Sequence, residues 1–121
     1  MSAQRDYADY LADILDAAEK AERFVAGVDY ESFRANDEKV FAVVRALEVI
    51  GEAAKQVPDP VRAEYTEIPW PDVAGMRDKL IHQYFGVDLE VVWRTVQEDL
   101  PTLKATVRGM LEDLGPASRD R

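Results

Sequence analysis

Apolar residues in this 121-residue chain recur at three- and four-residue steps almost from end to end, and nowhere settle into the two-residue alternation of a half-buried strand. That rhythm restricts the fold to helices packed on helices. Tyr7, Leu11, Ile14, Leu15, Ala18, Ala21 and Val25 predict a first helix near residues 4–26, with Gly27 as its C′ residue. Asn36 is a good N-cap for a second helix near 37–57, whose stripe is Val40, Val43, Val44, Leu47, Ile50, Gly51 and Ala54. Gly51, Ala53 and Ala54 are small enough to let another helix approach closely, and Pro58 stops the run. Asp59-Pro60, an N-cap followed by proline, predicts a short helix near 60–66; Trp70-Pro71 repeats the signal and opens a third main helix over about 71–83, ended by Gly86. Asp88 caps a long last helix with the stripe Leu89, Val92, Trp93, Val96, Leu100, Leu103, Val107, Met110, Leu111 and Leu114, which Pro101 is expected to kink. Trp70, Trp93 and Phe41 read as core. The expected architecture is all-α: an antiparallel bundle of four main helices with one additional short helix, forming one domain over residues 1–114, with a frayed tail over 115–121.

Composition removes several kinds of chemistry. The chain has no cysteine and a single histidine, which excludes disulfides, thiolate metal sites and the usual zinc ligand sets within one chain; no metal or cofactor is expected. No 18-residue apolar run exists and residues 1–20 are acidic rather than signal-like, so the expectation is a soluble, cytoplasmic protein with no membrane partner. The formal net charge of −9 weighs against nucleic acid, whose binders usually carry a basic footprint. Its distribution softens the objection. Residues 1–31 hold eight acids and three bases, whereas residues 32–57 hold four of each and residues 70–87 two of each. The acid excess sits mostly in the first helix, either as a solubilising face or as a surface for a basic partner.

The one histidine stands in Met76-Arg77-Asp78-Lys79-Leu80-Ile81-His82-Gln83-Tyr84-Phe85, as R-x-x-x-x-H-x-Y. An imidazole trades protons near neutral pH and a guanidinium holds an anionic phosphorus centre, the two requirements of phosphodiester cleavage without a metal. On an ideal helix Val73, Met76, Leu80, Ile81 and Tyr84 form an apolar stripe with Arg77 in its middle, so a partner for the guanidinium is expected, Glu48 or Glu52 on the second helix being the carboxylates at hand. His82 lies about 140° round from Arg77, off its face, while Tyr84 shares it. Either the helix unwinds before Gly86 and turns His82 inward, or a second copy of the chain completes the site. The second has support of its own, because transesterification of RNA needs a base and an acid, and a two-fold dimer supplies two histidines and two arginines. On the residues alone, His82 also suits a helix cap, Tyr84 a core position, and Lys79, off the Arg77 stripe, a solvated one from which it would assist phosphate binding.

At these residues the chain resembles the HEPN superfamily, and within it the HepT-like toxins. The resemblance covers roughly residues 7–114 and rests on linked segments: Arg45 to Lys55 (RALEVIGEAAK), Trp70 to Phe85 (WPDVAGMRDKLIHQYF), Gly86 to Trp93 (GVDLEVVW) and Leu100-Pro101. It implies an all-helical homodimer with a composite site at the interface, metal-independent endoribonuclease activity carried by Arg77 and His82, and a partner encoded beside it, a small MNT-type nucleotidyltransferase antitoxin. It also implies that Tyr84 matches the tyrosine which that partner modifies with AMP, silencing the toxin; a bulky anion two residues from the base would block RNA by charge and volume. Two readings of different class follow. One is a ribonuclease toxin. The other is a non-catalytic nucleotide-binding or docking module, partner and modification substrate of a nucleotidyltransferase, which the acidic surface favours.

Overall fold

The computed structural model describes residues 6–76 and 88–115, all of whose regular structure is helical. Helix α1 (Tyr7–Phe24) turns its small and branched residues Ala8, Leu11, Ile14, Ala17, Ala18 and Ala21 inward. Asp6 caps it by accepting from the Ala8 amide. It packs chiefly along α3 (Asp37–Lys55), which presents Val43, Ala46, Leu47, Ile50, Gly51, Ala53 and Ala54. Alanines on both helices leave room for the two backbones to lie close, and the larger Leu11, Ile14, Leu47 and Ile50 are packed in the core at 1 % exposure or less. Fully burying each such side chain contributes about 1.5–3 kcal/mol.

The expected caps of α3 and of the last helix are present: the Asn36 side chain accepts from the Lys39 amide at 3.0 Å and Asp88 from the Glu90 amide at 3.0 Å. Gly27 adopts φ +74°, in the chain reversal that follows α1, a conformation open to glycine without a Cβ penalty. Lys39 reaches back across that reversal and donates from Nζ to the Phe24 carbonyl at 2.9 Å, satisfying one of the carbonyls that a helix end leaves unpaired.

Several expectations change in detail. A short α2 (Tyr30–Arg34) stands where no helix was expected, nucleated by Asp29, whose carboxylate accepts from the Ser32 amide at 2.8 Å, and anchored by the fully buried Phe33. Phe41 is 57 % exposed rather than core; two residues before Val43, it lies about 160° round the helix from the buried face. Asp59 is not the N-cap of α4 (Asp59–Glu64): Pro58 holds that position and Asp59 is the acid of the first turn. Trp70 is buried and opens α5 (Trp70–Ala74), with Gly75 as C-cap and Met76 helical again; the rest of the expected third main helix lies outside the described residues, as do Gly86 and the tail beyond Gly115.

The last helix runs as α6 (Leu89–Arg94), a π-helical turn (Thr95–Asp99) and α7 (Leu100–Leu114). Pro101 explains the turn. Its ring would clash with the carbonyl one α-turn earlier, and it offers no amide; the Leu100 amide donates instead five residues back, to Thr95. The interruption is taken up by one wide turn, and the stripe Val92, Val96, Leu100, Leu103, Val107, Met110 and Leu111 stays buried on both sides of it. Trp93 is half-buried against Tyr30 and Phe33, with ring centroids 6.0 and 5.4 Å away. Lys104 and Arg108 pair with Glu22 and Glu19 of α1 at 2.5 and 2.7 Å.

Candidate functional site

Arg77, Lys79, His82 and Tyr84 lie outside the described residues. The described chain reaches the motif from both sides, at Met76 and at Asp88. On the α5 side, Trp70, Val73 and Ala74 are buried in the core, and a chain of polar contacts runs around Arg62. Its Nε donates to the Val57 carbonyl and its Nη2 to the Ala54 carbonyl, both at 2.9 Å, so one guanidinium closes the C-terminal end of α3. The same guanidinium carbon stands 6.0 Å from the centre of the Trp70 ring. The Trp70 indole N–H donates to the Tyr65 carbonyl at 3.1 Å, and the Tyr65 hydroxyl donates to Asp113 of α7 at 2.5 Å. Pro69 and Pro71 bracket Trp70 and restrict the backbone there. Arg62 was not foreseen, although the sequence holds a signal: it is the only cation between Lys55 and Arg77, just past a helix end that needs donors.

Between α5 and the π-helical turn lies an open groove of about 810 Å³. Its apolar lining includes Leu47, Ile68, Val73, Val92 and Leu103, and its described charged residues are all acids: Glu67, Asp72, Asp88, Glu98 and Asp99. Such a wall repels phosphate. Within 76–88 the sequence supplies the bases, Arg77 and Lys79, with His82.

Glu48 and Glu52 behave differently from each other. Glu48 is partly buried and lies 3.8 Å from Arg45, one turn earlier on the same helix. Glu52 lines a second hollow, of about 530 Å³, with Tyr10, Asp13, Arg45 and Lys55. On an ideal helix it stands about 140° from Leu47, the residue α3 gives to the larger groove, and is turned away from that groove.

Three groups have shifted acidities. The Tyr65 hydroxyl is pushed up to about 12, first by its hydrogen bond to Asp113. Tyr7 is raised, first by burial and then by the charge of Asp6. Asp29 is lowered by the Ser32 amide that it accepts from. All three serve helix ends and packing rather than a reaction centre. Among the described residues no group of histidine, cysteine or carboxylate side chains is arranged to hold a metal ion, and no helix is long and apolar enough to cross a membrane.

The family profile described as "Ribonuclease HepT-like" matches residues 14–110 and thus takes in the whole motif. A protein of Thermococcus cleftensis named "Probable ribonuclease HepT" is 50 % identical over 101 residues, which is 84 % of this chain and 92 % of that protein. A "Putative RNase" of Methanocaldococcus jannaschii is 45 % identical over 111 residues, 92 % of this chain and 96 % of its own length. No solved structure matches the chain significantly. A profile spanning most of the helical core and relatives matched over nearly their full length leave one conclusion: this chain belongs to the ribonuclease HepT-like family.

Proposed function

We propose that this protein is the metal-independent endoribonuclease toxin of a HEPN/MNT toxin–antitoxin pair, acting in the cytoplasm. Its family makes it an enzyme of the ribonuclease class. The observation that carries the finer reading is the intact Arg77…His82…Tyr84 motif inside the matched span. In this reading residues 1–114 form one HEPN-like domain, a bundle of four main helices and shorter ones, with 115–121 as a tail. Two copies pair about a two-fold axis and pool their motifs. One His82 takes the proton of the ribose 2′-hydroxyl as its oxygen bonds to phosphorus, and the other His82 gives a proton to the departing 5′-oxygen as the P–O bond breaks. The Arg77 guanidinium stabilises the charge that builds on the phosphorane oxygens. Lys79 adds attraction for the phosphate chain, which the acidic groove beside α5 does not provide. Of the two carboxylates foreseen as partners of Arg77, Glu48 or Glu52, the partly buried Glu48 is the one assigned to orient it, since Glu52 lines the second hollow. Tyr84 lines the cleft, and AMP placed on it by the nucleotidyltransferase partner excludes RNA by bulk and negative charge.

The test is cleavage of RNA by the purified protein in EDTA. Arg77→Ala and His82→Ala are each expected to lower the rate by roughly a hundredfold or more. Full activity in either variant ends the assignment of that residue. The acids along the groove favour a second reading, a non-catalytic docking module for the nucleotidyltransferase. Expression without the partner separates the two: a nuclease toxin arrests growth and the partner restores it, while a docking module does neither.

A further inference from the structure

We propose that Arg62 is a positioning residue of the nuclease, fixing the line along which α5 leads into the segment that carries Arg77 and His82. The proposal rests on the site assignment above. Its basis is the double engagement of one side chain. Two hydrogen bonds of 2.9 Å, to the Ala54 and Val57 carbonyls, fix the plane of the guanidinium against the end of α3. The centre of the Trp70 ring lies 6.0 Å from the same guanidinium carbon, within range of a cation–π attraction.

Trp70 is the first residue of α5, and Arg77 follows it by seven positions. Helix α5 has five residues, too few to hold its own direction in water, so its course is set by what holds it: Trp70, Val73 and Ala74 are buried in the core, and Arg62 adds the directed polar contact at its first turn. The grip is specific. The ring is buried, its N–H is committed to the Tyr65 carbonyl, and prolines on either side restrict the backbone. In this proposal, releasing Arg62 removes the directed contact at the start of α5 and leaves its position to the burial of Trp70, Val73 and Ala74 alone, while the α1–α3–α7 side chains stay buried. Misplacement of about 1 Å in a reacting group is enough to lower a rate by roughly a hundredfold.

The experiment compares Arg62→Met, which removes every donor and keeps an apolar stem, with Arg62→Lys, which keeps one donor and loses the fork. Both are assayed for RNA cleavage well below their melting temperatures, with Arg108→Ala as a control for simple loss of stability. The expected result is a graded fall in kcat, roughly tenfold or more for Arg62→Met and smaller for Arg62→Lys, with KM held within about twofold. Arg108→Ala should keep its kcat. If Arg62→Met melts earlier yet turns over like the wild type, Arg62 is only structural and the proposal fails. Should Arg62→Met not fold, an unchanged kcat in Arg62→Lys overturns it equally. His82→Ala, run on the same RNA, separates the two levels: full activity there brings down the site assignment and this proposal with it, whereas an inactive His82→Ala beside fully active Arg62 variants refutes the positioning role alone.

Discussion

The α1–α3–α7 body and the α4–α5 end of this protein are fixed in space by different means. In the body, long helices face each other through many buried side chains, and no single one decides the arrangement: Leu11, Ile14, Val43, Leu47, Ile50, Leu103, Val107 and Met110 all sit at 6 % exposure or less. At the other end the helices have six and five residues, α4 buries no residue, α5 sinks only Trp70, Val73 and Ala74 into the core, and individual polar contacts from Arg62, Tyr65 and Trp70 add to that smaller packing. Redundant packing tolerates small errors and gives stability. A few directed contacts give a defined direction to a short element, and one substitution can undo them. The motif follows the end built in the second way.

The contrast breaks if the body proves easy to disturb or the end hard to. Ile50→Ala should produce the largest effect, a loss of about 2–5 kcal/mol, because the side chain is fully buried and the rigid helices around it close only part of the cavity. Urea unfolding followed by helical circular dichroism measures it; a loss below about 1 kcal/mol would mean the body repacks freely. Tyr65→Phe should have a smaller effect, about 1 kcal/mol at neutral pH, localised to residues 59–70 in amide exchange. It carries a pH signature. The folded hydroxyl is raised from 10.0 to about 12 by its bond to Asp113, so its stabilising contribution is complete below pH 10 and disappears as pH rises through 12. The stability gap between wild type and variant should be flat up to pH 10 and then close. A gap that persists unchanged at pH 12 would show that the hydrogen bond is not its source.

What could be foreseen from sequence divides along the same line. Helices α1, α3 and the final run were legible because burial on one face of a long helix writes a repeating stripe, and their caps at Asn36 and Asp88 carry the residue types the geometry demands. The stripe overreached at Phe41, where an apolar residue off the buried arc was read as core. Helix α2 went unseen because five residues are too few for a stripe, although Asp29 three positions before Ser32 was a capping signal. The π-helical turn was visible only as trouble at Pro101; a break can be placed from a proline, but its form depends on packing. The motif residues Arg77, His82 and Tyr84 were singled out by residue type and spacing, since chemistry needs a particular base and a particular cation. Tyr65 was missed because its partner Asp113 is related to it only through the folded chain, and Arg62, whose partners Ala54 and Val57 lie eight and five residues back, because a lone cation past a helix end is a faint signal beside a motif.

The smallest expected effect gives the finest test of the contrast. Two ion pairs bridge α1 and α7, and they differ in setting: Lys104–Glu22 has side chains 18 % and 27 % exposed, Arg108–Glu19 50 % and 45 %. If the body is held by packing, neither pair should matter greatly. The exposed pair gains little Coulomb energy in water and orders two long side chains, so a double-mutant cycle over Arg108→Ala and Glu19→Ala should give a coupling of about 0.2–0.5 kcal/mol. The more sheltered pair, less screened, should reach about 1 kcal/mol. Added salt near 1 M, where the screening length falls to about 3 Å, should erase most of the first and less of the second. A coupling above about 2 kcal/mol at Arg108–Glu19 would mean that polar contacts align the long helices as well, and the distinction between the two ends of the molecule would be one of degree only.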